Sequence, residues 1–361
     1  MNNPPLPPDD ELYRALVERD ASYEGIFVVG VRTTGVFCRS TCPARKPKRE
    51  NVEFFRGSRD ALFAGYRPCK RCRPLEPRGR PPDWLRPLLR ELEGSPSTRI
   101  RDADLRARGL DPARVRRWFQ SAHDMTFQAY QRALRLGGAL DHLRGGGAVT
   151  HAAFDNGFES LSGFHDALKQ LTGSTPARSR SATVVRMTRM LTPLGPVILG
   201  ATDDALCLLE FADRRMLAKQ IERVTRLLRC TIVPGSNDVL TEATSQIEAY
   251  LAGELHAFTL PLDLRGTEFQ RAVWRGLLEI PYGETRSYAQ QAVALGQPTA
   301  TRAVARANGD NRIAIVVPCH RVIGSDGKLT GYGGGLWRKK YLLSLEQQHA
   351  VAEGTLFAAA G

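Results

Sequence analysis

Two short pairs of cysteines near the start of the chain have the spacing of a metal site. Three residues separate Cys38 from Cys42, two separate Cys69 from Cys72, and 26 residues lie between the pairs. Each pair can occupy one edge of a tetrahedron, so the pattern predicts one Zn²⁺ bound by four thiolates. Spacing alone leaves two alternatives open: a purely structural ion, or a site in which an exposed thiolate ligand stays nucleophilic.

A second candidate nucleophile follows the apolar run 313–317, which we predict to be a buried strand. Cys319 comes just after this run with His320 beside it, and a neighbouring base can convert a thiol into the reactive thiolate. An isolated cysteine is more often a packed core residue, and this is the interpretation we adopt for Cys207 and Cys230. For Cys319 the surrounding motif, described below, favours the nucleophile.

The chain is basic and has the composition of a globular protein. Its 361 residues include 51 lysines and arginines against 38 aspartates and glutamates, a formal charge of +13. Residues 38–80 contain 13 basic and 4 acidic residues, so the positive charge is densest around the cysteine pairs. This excess indicates a polyanionic partner such as nucleic acid, and the length predicts two to four domains.

No apolar stretch approaches the roughly 18–20 residues of a membrane span. The N-terminus carries Asp9, Asp10 and Glu11 and lacks the apolar segment of a signal peptide. We therefore expect no membrane partner and a cytoplasmic, reducing location. There the cysteines are expected to be ligands, nucleophiles or buried thiols rather than disulfides.

The elements that must position these residues divide into three units. A strand over 25–31 and a turn at 33–35 precede the first cysteine pair. Two segments, 76–82 and 172–181, are rich in proline, glycine or small polar residues and are predicted to be linkers.

The segment between the linkers has the pattern of a repeated helix-turn-helix. A helix closing at Gly109 is followed by a helix capped by Asp111, and 48 residues later Gly157 is followed by Ser160 or Ser162 as the next cap. One copy alone fits any helical bundle, whereas two copies with basic second helices favour DNA binding.

The residues around the four cysteines resemble the N-terminal zinc module of the Ada family of bacterial adaptive-response regulators. The match rests on 32–39 (RTTGVFCR) and 66–72 (YRPCKRC). In that family the first cysteine is both a zinc ligand and the acceptor of a methyl group from a DNA methylphosphotriester, a role that falls here on Cys38. Methylation would turn its thiolate into a neutral thioether, which is an electrostatic switch toward DNA. The resemblance also implies four DNA contacts: Thr34, Arg45, Arg67 and Arg71.

The middle segment resembles the tandem helix-turn-helix domain of AraC-type transcription regulators. Residues 157–164 (GFESLSGF) and 172–176 (TGSTP) carry the match in the second copy. In the first copy, residues 124–127 (DMTF) lack the family's usual glycine and proline. The resemblance implies sequence-specific binding to promoter DNA.

Residues 190–347 resemble the methylated-DNA–protein-cysteine methyltransferases, the single-use repair proteins for O6-alkylguanine. The match includes 281–288 (PYGETRSY), 318–322 (PCHRV) and 331–336 (GYGGGL). It differs at Gly333, where many relatives have a side chain, often serine, that contacts the guanine oxygen. The resemblance implies these roles: Cys319 as alkyl acceptor, His320 as water-mediated base, Glu346 to orient it, Asn311 to brace the turn, Tyr288 and Arg302 in base flipping, and Tyr332 on the loop that closes the guanine pocket.

The three resemblances, in this order, are those of the Ada family and imply its architecture. We predict a multidomain α+β protein that begins with a small α/β zinc module at 1–78 and an all-α tandem helix-turn-helix domain at 83–182. The methyltransferase would comprise a ribonuclease-H-like α/β subdomain at 186–264 and a helical, winged-helix-like active-site subdomain at 265–350.

The implied function is irreversible, single-turnover DNA repair coupled to transcription activation of the adaptive response. Methyl groups would pass from O6-methylguanine and O4-methylthymine to Cys319, and from methylphosphotriesters to Cys38. Expected partners are double-stranded DNA, methylated or promoter, and RNA polymerase. We expect a monomer that associates with the nucleoid when bound to DNA. The alternative is a zinc-dependent AraC-type regulator with an inactive methyltransferase-like domain.

Overall fold

The computed structural model describes residues 6–20, 23, 26–72, 74, 81–123 and 125–358. Within those ranges no helix is both long and apolar enough to cross a membrane. Of the predicted linker at 76–82, only the last two residues are described.

The N-terminal unit combines two helices with a four-stranded sheet of strand order β3-β1-β2-β4. β1 and β2 are antiparallel, and the turn between them contains Gly35 at a φ of +62°, as the turn predicted at 33–35 requires. The predicted strand at 25–31 is β1 alone, and residue 25 lies outside the described residues. The elements are α1 (Asp9–Glu18), β1 (Val28–Val31), β2 (Val36–Arg39), β3 (Val52–Phe55), α2 (Ser58–Phe63) and β4 (Arg67–Pro68).

The middle unit is all-helical, and the long α6 joins two short helical pairs, α4–α5 and α7–α8. Asp111 caps α5 by accepting the Ala113 N–H at 2.9 Å, and Ser160 caps α8 by accepting the Gly163 N–H at 3.2 Å. Both helix-turn-helix predictions are therefore confirmed, with Ser160 as the second cap. The helices are α3 (Arg86–Gly94), α4 (Asp102–Ala107), α5 (Pro112–His123), α6 (Phe127–Arg144), α7 (Val149–Phe154), α8 (Leu161–Thr172) and α9 (Pro176–Ser179).

The second predicted linker, 172–181, is wrong. α8 ends within it at Thr172, and Pro176 begins the short helix α9. Pro176 and Ser179 are buried. Gly173 ends α8 in the left-handed conformation and Thr175 and Pro176 begin α9, so the segment is a tight connection between two packed helices instead of a linker.

The third unit contains a sheet subdomain of order β7-β6-β5-β8. β5, β6 and β7 form an antiparallel meander, and β8 returns parallel to β5 after a helix. Cys207 and Cys230 are buried within it, in line with the packed thiols predicted. The elements are β5 (Thr183–Thr192), β6 (Gly195–Ala201), β7 (Leu206–Phe211), α10 (Leu217–Leu228), β8 (Cys230–Pro234) and α11 (Asp238–Ala252). β5 thus starts before the predicted boundary at 186.

The helical subdomain follows and packs on the sheet subdomain through β7. Leu209 of β7 donates its N–H to the Arg312 carbonyl at 2.8 Å and accepts the Ala314 N–H at 2.7 Å. The elements are α12 (Glu268–Leu278), β9 (Arg286–Ser287), α13 (Tyr288–Ala294), α14 (Thr301–Gly309), β10 (Val322–Ile323) and α15 (Leu336–Ala358). α15 extends beyond the predicted end at residue 350.

Residues 313–317 form a buried turn, so the strand predicted there is wrong. Ile313 makes only an isolated bridge to Leu209, and the Val317 N–H returns to the Ile313 carbonyl at 2.9 Å. Ile315 has a φ of +70°, which a β-branched residue adopts only under tertiary constraint. The continuous apolar run reflects complete burial, which a strand and a turn share.

Candidate active site and metal centre

The four N-terminal cysteines converge on one point. Their Sγ atoms lie within 4.8 Å of one another, and all four residues are buried. Tetrahedral Zn–S bonds of about 2.3 Å place sulfurs about 3.8 Å apart, so a cluster of this size fits one zinc ion. Strand pairing assembles it, because β2 carries Cys38 and the parallel neighbour β4 leads directly into Cys69.

The thiols of this cluster are close enough to perturb one another's ionisation. Hydrogen bonding to Cys72 and burial raise the pKa of Cys38, and the same hydrogen bond lowers the pKa of Cys72 to about 5. Four thiolates this close repel one another unless a positive ion lies between them. The donor set therefore fits zinc, and the cofactor prediction of one Zn²⁺ in a four-cysteine site is confirmed.

A basic, exposed surface surrounds the zinc site. Arg67 lies on β4 at the sheet edge beside the strand of Cys38, and Thr34 lies in the β1–β2 turn. Arg45 and Arg71 are exposed in the loops that carry the other ligands. The four predicted DNA contacts are thus accessible, and their role stays a prediction.

Cys319 opens a single 3-10 turn that ends at Arg321. The Asn311 amide braces this turn: its Nδ2 donates to the Val317 carbonyl at 2.8 Å and lies 3.3 Å from Cys319 Sγ. Burial raises the pKa of the Cys319 thiol, opposed by the Asn311 hydrogen bond and by the positive charge of Arg214. A thiol in this environment requires a base to become a thiolate.

His320 and Glu346 form a fully buried pair next to the thiol. His320 Nε2 lies 2.8 Å from Glu346 Oε1, so Nε2 carries the proton and Nδ1 is the basic nitrogen. Within the described part of the chain, the buried Nδ1 has no hydrogen-bond partner. Burial lowers the pKa of His320 below its usual 6.5, only partly opposed by Glu346, so the ring is neutral at pH 7.

Two further side chains hold the Glu346 carboxylate in place. Arg321 Nε donates to Oε2 at 2.9 Å, and the Tyr250 hydroxyl donates to Oε1 at 2.5 Å. Burial alone would raise the pKa of Glu346, but the hydrogen bond from His320 and the hydrogen bonds and charge of Arg321 lower it to about 2. The carboxylate is therefore ionised at neutral pH.

A loop at 330–335 covers the thiol from the other side. The Tyr332 ring lies edge-on to the His320 ring, with centroids 6.5 Å apart, and burial and the nearby Cys319 raise the pKa of its hydroxyl. The Tyr288 hydroxyl donates to the Thr330 carbonyl at 3.1 Å. These predicted residues therefore come together around Cys319, whereas Arg302 is separate, on the exposed first turn of α14.

Four residues of the site had no predicted role: Tyr250, Arg321, Lys339 and Arg214. Arg321 could have been found from its place in the PCHRV motif. Tyr250 could have been found as a phenol on the apolar face of a helix, because a buried hydroxyl requires a hydrogen-bond partner. Lys339 Nζ holds the covering loop by donating to the Thr330 carbonyl at 2.9 Å. No signal in the sequence pointed to Arg214.

Family models match the chain along most of its length. The metal binding domain of Ada matches residues 11–75, and a helix-turn-helix domain matches residues 105–182. The ribonuclease-like domain of 6-O-methylguanine DNA methyltransferase matches residues 185–264, and the DNA binding domain of the same enzyme matches residues 268–348.

Individual relatives match both the whole chain and its third unit. The bifunctional transcriptional activator/DNA repair enzyme Ada of Escherichia coli K12 is 35% identical over 94% of this chain and 97% of its own length. The methylated-DNA–protein-cysteine methyltransferase of Mycobacterium tuberculosis H37Rv is 51% identical over 46% of this chain and 94% of its own. A structure of the M. tuberculosis enzyme OGT in complex with DNA is 46% identical, with a TM-score of 0.40, over 46% of this chain and 94% of its own.

The zinc module, the two helix-turn-helix copies and the Cys-His-Glu site define a methylated-DNA–protein-cysteine methyltransferase joined to a transcription regulator. Its whole-length relatives combine transcription activation with DNA repair. The chain belongs to the Ada family.

Proposed function

We propose that the chain repairs alkylated DNA by transferring methyl groups to two of its own cysteines, Cys319 and Cys38. One observation carries the assignment of Cys319. Its Sγ lies 3.3 Å from Asn311 Nδ2, and the next residue, His320, is hydrogen-bonded to the buried carboxylate of Glu346. Burying charged groups costs free energy. An inactive methyltransferase-like domain would have no use for the buried charges of Glu346 and Arg321, so their presence argues against that alternative.

The geometry supports a specific route for the proton. His320 donates through Nε2 to Glu346, and its Nδ1 takes the Cys319 proton through a water molecule. The thiolate sulfur attacks the methyl carbon of O6-methylguanine, and the carbon–oxygen bond breaks. Its electron pair returns to the purine, which takes up one proton in place of the methyl group. A thioether is a poor leaving group, so each acceptor cysteine acts once.

The target base must leave the duplex to reach this thiol, at a cost of roughly a few kcal/mol. We assign Arg302 to the vacated space in the stack and Tyr288 to the rotation of the nucleotide, and Tyr332 closes the pocket over the base. O4-methylthymine is proposed as a second substrate because its methyl group is likewise held by an exocyclic oxygen.

The zinc module would repair the DNA backbone. When bound, zinc keeps its ligand sulfurs anionic and electron-rich. Cys38 would attack the methyl carbon of a phosphotriester and release an ordinary phosphate diester. Its product is a neutral thioether, which reduces repulsion from DNA phosphates and raises promoter affinity. Phosphates would be held by four residues: Thr34, Arg45, Arg67 and Arg71.

We propose that the working units are 1–78, 83–182, 186–264 and 265–350. Their partners are double-stranded DNA, methylated or promoter, and RNA polymerase, which an activator must recruit. The exposed basic surfaces favour a monomer in the cytoplasm that associates with the nucleoid when bound to DNA.

Single substitutions of the acceptors test this function. Cys319→Ala should abolish methyl transfer from a duplex containing radiolabelled O6-methylguanine and leave transfer from labelled methylphosphotriesters intact. Cys38→Ala should do the reverse, and each acceptor of the unchanged protein should gain one methyl by intact mass. Label reaching the Cys319→Ala protein from the base lesion would refute the assignment, and no label on either cysteine would support the regulator without repair activity.

A further inference from the structure

Arg214 connects the sheet subdomain to the turn that braces the reactive cysteine. It lies just after β7, and its side chain is 8% exposed. Nη2 donates to the Gly309 carbonyl at 2.6 Å and Nη1 donates to the Asn311 carbonyl at 3.2 Å. Nη1 is also paired with the carboxylate of Glu210, which is completely buried. One guanidinium thus fixes the end of α14 and the backbone of the residue that touches Cys319.

The same guanidinium lies against Gly333 in the covering loop. A Cβ at this position would be 2.5 Å from Arg214 Cζ and 2.8 Å from its Nε. The φ of Gly333 lies outside the left-handed region, so the backbone does not demand glycine there. Glycine is needed for steric reasons, because the guanidinium of Arg214 occupies the volume that a side chain at position 333 would need.

We propose that Arg214 is a positioning residue for methyl transfer to Cys319, and that Gly333 is the complementary residue that admits its guanidinium. The inference rests on the transfer proposed above. Arg214 bridges the 309–311 turn and the 331–335 loop, so it sets how these two walls of the reactive pocket face each other. The guanidinium of Arg214, which comes from the sheet subdomain, then forms the part of the pocket wall that a side chain at position 333 would otherwise form.

Charge supports this placement. The groups that face Cys319 and affect its ionisation are Arg214 and Glu210 from the sheet subdomain, Lys339 from α15, and the phenols of Tyr288 and Tyr332. Arg214 opposes the effect of burial and so lowers the pKa of the thiol. Removing its charge is therefore expected to move upward the alkaline midpoint of alkylation, at which the Cys319 thiol itself ionises, and a purely structural residue would not move it.

Two replacements separate the charge of Arg214 from its shape. Arg214→Lys keeps a charge beside Glu210 but lacks the planar fork of donors that holds Glu210 and the Gly309 and Asn311 carbonyls together, so it should slow transfer to Cys319 without moving the pH midpoint. Arg214→Met combined with Glu210→Gln, which avoids an unpaired buried carboxylate, should slow transfer about tenfold. It should raise the midpoint only slightly, because the Glu210 charge raises the pKa of the thiol and its loss offsets part of the loss of Arg214. Arg215→Met, at the exposed neighbouring arginine, is the matched control and should leave transfer unchanged.

Gly333→Ala tests the spatial part of the inference. In the unchanged protein it should slow transfer to Cys319, and in the Arg214→Met/Glu210→Gln background the penalty should largely disappear. Hydrogen exchange of peptides from 206–215 and 310–350 reports whether the methyltransferase unit of each full-length variant is folded, and transfer to Cys38 in the same molecules measures the amount of intact protein.

The outcomes separate this inference from the proposed function. If the unchanged protein fails to label Cys319, the proposed function fails. If it labels Cys319 but the Arg214 variants keep its rate and pH midpoint, or the Gly333→Ala penalty is the same in both backgrounds, the inference about Arg214 is wrong.

Discussion

The Tyr250 hydroxyl donates to Glu346 Oε1 at 2.5 Å, and the same oxygen lies 2.8 Å from His320 Nε2. Tyr250 belongs to α11 of the sheet subdomain, whereas Glu346 and His320 belong to the helical subdomain. The hydrogen bonds that hold the Glu346 carboxylate of the catalytic pair are therefore complete only when the two subdomains are docked. The sheet subdomain thus contributes a side chain, Tyr250, to the reactive site as well as residues to the hydrophobic core.

Replacing Tyr250 by phenylalanine should weaken both the fold and the reaction. The buried carboxylate loses a charge-assisted hydrogen bond, which costs about 2 kcal/mol of unfolding free energy. The less restrained carboxylate should orient His320 less well and slow transfer to Cys319 several-fold. Hydrogen exchange of peptides from 310–350 and single-turnover rates measure the two effects.

Tyr341→Phe is the matched control for this change, since Tyr341 is a half-buried phenol on α15. It should leave both measurements near those of the unchanged protein. Equal effects of the two substitutions would show that the hydroxyl of Tyr250 has no special role.

The rate of transfer to Cys319 should depend on pH through His320. The base form of the ring is the neutral form, and burial lowers the pKa of His320 below 6.5. The rate limited by this base should therefore stay constant as pH falls from 7.5 to about 6.5 and decline only in more acidic solution. Single-turnover rates from pH 5 to 8 check this. A decline centred above pH 7 would contradict a buried neutral imidazole.

Acid should destabilise the helical subdomain through Glu346. Its folded pKa is about 2, against an ordinary 4.5. A carboxyl group whose pKa is lowered by folding adds to the free energy of unfolding, here on the order of 3 kcal/mol. The contribution is complete above the pKa of the unfolded state and is lost as pH falls through the pKa of the folded state. The protection of amides in 310–350, taken relative to their intrinsic exchange rate at each pH, should fall between about pH 4.5 and 2. Glu346→Gln should be less stable at neutral pH and should lack this transition.

The sequence predicted the features that depend on local spacing. Ligand spacing gave the zinc cluster, and Gly109, Asp111 and Ser160 marked the helix ends, because caps and turns use near neighbours. The turn at 313–317 could not be predicted, since Arg312 and Ala314 are held by hydrogen bonds to Leu209 of β7, which is remote in sequence, and Ile315 next to them has a positive φ. Arg214 was equally hidden, because it lies 97 positions before Asn311 in the chain.

Zinc removal should affect one repair reaction and spare the other. The cluster contributes its free energy of binding to the small N-terminal unit, so a strong chelator should unfold that unit and abolish transfer to Cys38. Transfer to Cys319 should continue at its former rate, because its site is built from residues 186–350. One zinc ion per chain should be released, and Cys42→Ser should reproduce the selective loss. Parallel loss of both reactions would mean that the zinc module supports the methyltransferase fold.

Methylation of Cys38 should change the salt dependence of promoter binding as well as its strength. A four-thiolate zinc site carries a formal charge of 2−, and conversion of one thiolate to a thioether reduces it to 1−. If this removes repulsion from one nearby phosphate, the slope of log K against log salt should steepen by about 0.9. Titrations of promoter DNA with Cys38-methylated and unmethylated protein, each with Cys319→Ala, measure the difference. Arg67→Ala should weaken binding in both states, and an identical slope before and after methylation would refute the electrostatic switch.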